Sequence, residues 1–319
     1  MAASTAIDPE LVGRFKAALE RLNPSGAKIG LAVSGGPDSM AMLLLAHEAI
    51  PGGFEVATVD HGLRPEAKDE CALVAAACEE RGVPCEVLSV QVGEGNVQAM
   101  AREARYAALA DWARRTGLRA IATAHHADDQ AETLLMRLNR GSGVAGLAGV
   151  RQAQWREDLG VAILRPLLGF RRDDLAKVVA ASGQTVANDP SNADPRFDRV
   201  RMRQALADCD CIDPSALAQS ASNLAEAYEA LQSYAKLLWP QMVREADDGF
   251  VLTPGPSREM NRRLLAEVLQ RMGGKPRGGD VARLLLRLES GEGGNVAGVL
   301  ATVRDGSWVC HPEPARRTG

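Results

Sequence analysis

Apolar positions along the chain fall into short continuous runs that alternate with longer stretches of helical periodicity. KIGLAV (28–33) is a buried run of strand length that ends at a glycine turn, and from Asp38 to Ile50 apolar residues are dense enough for a buried helix. The alternation repeats. FEVATV (54–59) reads as a second strand, the alanine-rich stretch 66–82 as a helix, PCEVLSV (84–90) as a third strand, 97–116 as a helix and AIATA (120–124) as a fourth strand. The next helix, Asp128 to Arg140, opens with two acids where the helix dipole favours negative charge, and it stops at GSGVAGLAG. ILRPLL (163–168), a proline-containing strand, a helix from Arg171 to Ala181 and an Asp/Asn/Pro-rich loop at 188–195 follow.

Strands separated by helices of this length need crossover connections, so the expected fold is α/β: a doubly wound, Rossmann-like parallel sheet with right-handed windings. Ligands on such sheets sit beyond the carboxyl ends of the strands, which directs attention to the residues after strands 1, 2 and 4. The texture changes after residue 213. Pro214 to about Trp239 reads as one long helix, and 256–319 is rich in glycine and arginine. The expected organisation is a catalytic domain over 1–213, a helical linker over 214–255 and a small C-terminal domain over 256–319.

A length of 319 residues suits two such units, and 46% apolar with 24% charged residues is the composition of a folded chain with a sizeable core. No apolar run approaches the roughly 20 residues needed to span a bilayer, and the N-terminus lacks the order of a signal peptide, so no membrane contact and a cytoplasmic location are expected. The six cysteines include no C-x-x-C pair, and the seven-residue spacing of Cys71, Cys78 and Cys85 is that of small core residues. A net charge of -4 argues against unspecific coating of nucleic acid, so any such contact must use a local basic patch.

The strongest chemical signal is Ser34-Gly35-Gly36-Pro37-Asp38-Ser39, directly after strand 1. A serine and two glycines let backbone approach a phosphate closely, and the following helix start supplies N–H donors and positive dipole. Asp38 is odd beside an anion unless a Mg²⁺ ion bridges its carboxylate to a polyphosphate. Neither the Gly-Lys-Ser/Thr ending of a Walker loop nor a G-x-G-x-x-G fingerprint is present. His125, Asp129 and Glu132, four and three residues apart at a helix opening, can share one face. An N-terminal capping role is the plain alternative for Asp128 and Asp129. His61, beside Asp60 at the end of strand 2, is either a loop histidine or a group lining the nucleotide. Arg199 and Arg203, in the run RFDRVRMR (196–203), suit phosphates of tRNA or ATP, or else form a solvated helix face.

S-G-G-x-D-S after strand 1 resembles the pyrophosphatase loop of the N-type ATP pyrophosphatases (PP-loop superfamily), which cleave ATP to AMP and pyrophosphate. VDHGLRPEA (59–67), AREARY (101–106), ATAHHADDQAET (122–133), RGSGVAGLAG (140–149) and DPSN (189–192) then resemble, in that order, the tRNA(Ile)-lysidine synthetase family over roughly residues 26–205. The resemblance implies a ligase that uses ATP and Mg²⁺ to adenylate C2 of the wobble cytidine of the CAU-anticodon tRNA(Ile). Free L-lysine then displaces AMP. It implies ATP binding by Ser34, Gly35, Gly36, Pro37, Asp38, Ser39 and His61, with Asp38 as the Mg²⁺ residue. It also implies a lysine pocket of Arg105, His125, Asp129 and Glu132, and catalytic roles for Asp38, Asp129 and His125. Arg199 is followed by Val200 where the family often has asparagine. The chain is also expected to end before the further C-terminal domain of longer members.

Arg258, Arg262, Arg263, Arg271, Lys275, Arg277, Arg283 and Arg287 suggest that the C-terminal domain offers a tRNA-backbone surface, with helix-surface arginines as the alternative. A tRNA thiolase would call for cysteines that the pattern lacks. A nucleotide-sensing module and a small-molecule synthetase of the same class stay open, separated by ATP turnover and by dependence on RNA. The assembly state is left open, a homodimer included.

Overall fold

A computed structural model describes residues 6–62, 66–90, 97–187, 196 and 198–313. The DPSN segment and residues 63–65 of VDHGLRPEA lie outside them. The chain divides into two compact units, 1–225 and 226–319, with the boundary inside the long helix read from Pro214.

In chain order the first unit contains α1 (Pro9–Leu22), β1 (Ile29–Ala32), α2 (Pro37–Ala49), β2 (Phe54–Asp60), α3 (Glu66–Glu79), β3 (Cys85–Ser89), α4 (Val97–Thr116), β4 (Ala120–Ala122), α5 (Ala127–Leu138), α6 (Val144–Leu147), β5 (Ala153–Arg156), β6 (Val161–Leu164), α7 (Arg172–Ser182) and α8 (Asp198–Ala207), and then enters α9 (Pro214–Met242). The strands form a six-stranded sheet of order β3-β2-β1-β4-β6-β5. All neighbours are parallel except the edge pair β5–β6. The expected doubly wound α/β fold is therefore present, with one antiparallel edge strand added. The run 163–168 contributes less strand than its pattern suggested: β6 stops at Leu164, because Pro166 has no N–H for a ladder and the backbone then turns, Phe170 N donating to Leu167 O at 2.9 Å.

Strand alternation feeds two cores. Ala122 of β4 and Leu164 of β6 join one that α1, α2, α3 and α7 cover, while Ile121 and Ile163 join the opposite one, under α4. Helix α2 lies inside the first core, with every residue from Ser39 to Ala46 buried, as its uninterrupted apolar sequence predicts. On the other face Trp112 of α4 presses directly onto β1. A Cβ at Gly30 would meet the Trp112 ring at 2.4 Å, so only glycine lets the helix seat.

The strand order reverses between β1 and β4, since chain progress runs outward from β1 to β3 on one side and from β4 to β6 on the other. At this switch point the loops after β1 and β4 open beside one another. Register fixes their level: Val33 N donates to Ala57 O at 3.0 Å and Thr123 N to Leu164 O at 2.9 Å, so both strands end together.

The second unit holds β7 (Val243–Ala246), β8 (Gly249–Leu252), α10 (Arg258–Arg271), α11 (Gly278–Glu289), β9 (Gly294–Val296), β10 (Val299–Arg304) and β11 (Ser307–Pro312), with an antiparallel sheet of order β7-β8-β11-β10-β9. Strands β7 and β8 lie in the stretch that the sequence assigned to a linker. Val281, Leu284, Leu285 and Leu288 give α11 one apolar stripe, which packs with Leu264, Leu265, Val268 and Trp308. The arginines of this unit are largely neutralised. Arg258 meets Glu289 at 3.0 Å, Arg262 and Arg263 share Glu259, Arg271 meets Glu267 at 2.8 Å, Arg287 meets Glu292 at 3.6 Å, and Arg283 pairs with Asp280. No helix among the described residues is long and apolar enough to cross a membrane.

Candidate active site at the switch point of the sheet

The loop after β1 is held by its own side chains. Ser39, in the first turn of α2, accepts from Ser34 N at 3.1 Å, lies 3.2 Å from the Ser34 hydroxyl, and donates to Gly36 O at 3.0 Å. Gly35 has φ +83°, a left-handed conformation, and a Cβ there would come within 3.2 Å of Glu70 O. Pro37 sits in the first turn of α2, where no intrahelical N–H is needed. The result is a fixed turn that leaves the first N–H groups of α2 without intrahelical partners, an arrangement suited to an anion.

Opposite it, β4 leads through Thr123 and Ala124 to the pair His125–His126, and then into α5. His126 is the N-cap residue of α5; its N–H donates to Asp129 Oδ2 at 3.1 Å. Its ring is 1% exposed and sits among three carboxylates: Nε2 is 3.5 Å from Asp38 Oδ2 and 3.7 Å from Asp129 Oδ2, and Nδ1 is 3.4 Å from Asp128 Oδ2. Burial alone would discharge the ring, but Asp128, Asp38 and Asp129 outweigh it and raise its pKa to about 9. His126 is thus an imidazolium that ties the loop after β1 to the start of α5.

His125 behaves in the opposite way. Its Nδ1 is 3.0 Å from Thr123 Oγ1. Burial, then the guanidiniums of Arg165, Arg102, Arg199 and Arg105, push its pKa down to about 3, so the ring is neutral. Two adjacent histidines carry different charge because one faces acids and the other faces arginines.

A third group completes the site. Glu132, one turn along α5 and 1% exposed, accepts from Arg199 Nε at 2.8 Å, Arg203 Nε at 2.8 Å and Arg172 Nη2 at 3.3 Å. Burial would raise its pKa, but hydrogen bonds from Arg203 and Arg199 hold it below the ordinary carboxylate range. Asp129 Oδ1 accepts from Arg199 Nη2 at 2.9 Å, so α8 is latched to α5 through both acids. Asp128 points elsewhere: it accepts from Arg172 N at 2.8 Å and from the Arg171 guanidinium at 3.2 Å, joining α5 to the start of α7.

Residues 8–209 match the PP-loop domain family. A tRNA(Ile)-lysidine synthase of Novosphingobium aromaticivorans is 48% identical over 96% of this chain and 94% of its own length. Another from Zymomonas mobilis is 39% identical over 92% of this chain and 91% of its own. The chain belongs to the tRNA(Ile)-lysidine synthase family. Among solved structures, the U34-tRNA thiolase NcsA of Methanococcus maripaludis superposes with a TM-score of 0.54 at 18% identity, covering 71% of this chain and 81% of that one, a likeness of fold.

Against this lysidine synthase frame, the residues singled out in the sequence fall as follows. Ser34, Gly35, Gly36, Pro37, Asp38 and Ser39 form the loop; His61 follows β2 at the same end of the sheet; and His125, Asp129 and Glu132 open α5. Arg105, half-buried on α4, is close enough to His125 to shift its pKa. Arg199 and Arg203 hold Asp129 and Glu132 instead of standing free on a solvated face. His126 was missed, although its signal was visible: it is the second histidine of a doublet, three residues before Asp129. Gln130 was missed as well. It clamps the glycine-rich segment onto α5, accepting from Val150 N at 2.7 Å and donating to Val150 O at 2.8 Å.

Proposed function

We propose that the chain attaches L-lysine to C2 of the wobble cytidine of the CAU-anticodon tRNA(Ile), by way of an adenylated cytidine, with release of pyrophosphate and then AMP. The observation that carries this is the contact of His126 with Asp38 and Asp129, which couples the phosphate-binding loop to the carboxylate cluster within one site.

In the first step the cytidine O2 attacks the α-phosphorus of ATP and pyrophosphate leaves. The N–H groups at the start of α2 and the Ser34 and Ser39 hydroxyls receive the departing charge where it develops. Asp38, whose side chain is 34% exposed at the mouth of the loop, is a hard oxygen donor that fits Mg²⁺. Bound there, Mg²⁺ would neutralise polyphosphate charge. His61, at the end of β2, would line the nucleotide.

In the second step the lysine amine attacks C2, AMP departs, and the amine loses a proton. Asp129 retains a lone pair on each oxygen beyond its bonds to Arg199 and the His126 N–H, and so can receive the ammonium. Glu132 holds Arg199 and Arg203 in place and thereby shapes that pocket. Neutral His125 keeps a lone pair at Nε2 whenever Thr123 accepts from its Nδ1–H, and so can accept a hydrogen bond from the amine. Arg199 and Arg203 are read as contacts to phosphates of the tRNA or nucleotide. The second unit is read as a further tRNA surface, and the reaction as cytoplasmic.

The test is ATP cleavage with Mg²⁺ and an unmodified CAU-anticodon tRNA(Ile) transcript, with and without lysine. AMP and pyrophosphate that appear only with the transcript support the reading. Cleavage that ignores RNA replaces it with a small-molecule synthetase.

A further inference from the structure

The helix that carries Arg199 and Arg203 runs directly into a pair of thiols. After α8, Asp208 N donates to Gln204 O at 2.9 Å and Cys209 N to Leu206 O at 3.4 Å, so helical turns continue as far as Cys209. Two residues on, the Cys211 sulfur lies 3.1 Å from the Cys209 sulfur, in direct contact. Cys211 is exposed and Cys209 half-buried, whereas Cys71, Cys78 and Cys310 are buried and Cys85 packs against the core of the first unit. The far end of this connector is held as well. Asp213 accepts from Ser215 N at 2.8 Å, and Arg171, which also binds Asp128, lies 3.5 Å from Asp213 Oδ1 and donates to Ser215 Oγ at 3.2 Å.

Sulfurs so placed need to approach by only about 1 Å to reach the roughly 2 Å of a disulfide bond. A ring closed over a single intervening residue is strained, and strained, exposed disulfides are the ones that thiols reduce readily. The pair is therefore suited to reversible exchange and not to a permanent staple. Its surroundings select the reagent. Asp208 and Asp210, on either side of Cys209, are exposed, and among the described residues no base pairs with either. Their charge repels an anionic reagent and attracts a cationic one.

We propose that Cys209 and Cys211 are a redox-active dithiol that exchanges with small cationic or neutral disulfides, and that its oxidation stiffens the end of α8, the helix that latches Asp129 and Glu132. Cys211, the more exposed, attacks first as its thiolate. It bonds to one sulfur of the small disulfide, whose S–S bond breaks, and the departing thiolate takes up the proton that Cys211 gave to water. Cys209, likewise deprotonated, then attacks the Cys211 sulfur; the mixed disulfide breaks and a second small thiol leaves with the second proton. Two protein thiols lose two electrons, and the small disulfide is reduced to two thiols. The new bond closes the chain just beyond α8, between that helix and the Arg171 anchor at Asp213. This assignment is independent of the ligase reading.

The experiment treats the reduced, folded, full-length protein with cystamine, bis(2-hydroxyethyl) disulfide or oxidised glutathione, blocks free thiols with N-ethylmaleimide and digests with trypsin. The tryptic peptide 204–236 holds Cys209 and Cys211 and no other cysteine. The expected peptide is lighter by two hydrogens and takes no maleimide, and it takes two after reduction with dithiothreitol. Cystamine should act about 10-fold faster than oxidised glutathione at low salt, with the gap narrowing as salt screens the acids. Amide exchange over residues 198–207 should slow in the oxidised protein and stay unchanged in Cys209→Ser treated alike. A peptide that keeps two free thiols, or that carries the reagent on Cys211 alone, overturns the dithiol. A disulfide that leaves exchange over 198–207 unaltered overturns its action on α8, and equal rates with all three reagents overturn the choice of reagent class.

Discussion

His126 Nε2 lies 3.5 Å from Asp38 Oδ2, bridging the loop after β1 and the loop after β4 at the one place where the order of the parallel sheet reverses. Two motifs that are 88 residues apart thus form one electrostatic unit. The charge state of the ring follows from the same contact, since the carboxylates around it outweigh its burial.

Asp38→Asn is expected to lower tRNA-dependent pyrophosphate release by about 10²–10³-fold, the usual effect of deleting one group that stabilises a developing charge. Its thermal midpoint should fall only modestly, because Asp128 and Asp129 still hold the His126 ring. A single-turnover assay at saturating ATP checks this; release within a few-fold of the parent would remove Asp38 from the chemistry.

Glu132→Gln takes away the charge that holds Arg172, Arg199 and Arg203. The expected loss is about 2–4 kcal/mol, toward the low side of a broken buried pair because those arginines reach water. Urea denaturation measures it. The latch between α5 and α8 should also loosen, seen as faster amide exchange over residues 198–207.

Asp128 gives the pH dependence. Burial opposes its charge, but His126, the Arg172 N–H and Arg171 hold its pKa well below the ordinary carboxylate range. The unfolded chain therefore binds the proton first as pH falls, so this contribution is complete above about pH 4 and is lost progressively below it. Between pH 5 and pH 3 the thermal midpoint of the parent should drop more steeply than that of Asp128→Asn, measured by circular dichroism without ligands. Parallel slopes would contradict the assignment.

Gly30→Ala puts a methyl group where the Trp112 ring already lies, with 2.4 Å to the nearest carbon. Overpacking of this kind costs about 1–3 kcal/mol, and Gly30→Ala with Trp112→Phe should recover part of it, which equilibrium denaturation of the pair would show.

Much of this architecture was legible in the chain. Apolar runs from 28 to 124 located four strands and their helices because each run is bounded by glycine, proline or a charge, and the serine-glycine turn after β1 marked a candidate anion site. Strand β5 escaped notice because AQWR is only four residues long and lies at an exposed edge, where even Trp155 faces solvent. Strands β7 and β8 follow directly on α9, so helix periodicity masks the change, and only the pairing with β11 makes them a sheet. The roles of the arginines were least legible. Arg199 and Arg203 look like a solvated face in one dimension, and the acids they hold lie 67 and 71 residues away.

The central claim is that one site both activates a tRNA base with ATP and joins lysine to it. The most direct measurement is the mass of the wobble nucleoside, isolated from CAU-anticodon tRNA(Ile) after incubation with the purified protein, ATP, Mg²⁺ and isotopically labelled lysine. A cytidine heavier by lysine less one water, dependent on ATP and absent with Asp38→Asn, is the result this account predicts. An unchanged cytidine alongside ATP cleavage, or label recovered on any other nucleoside, would contradict it.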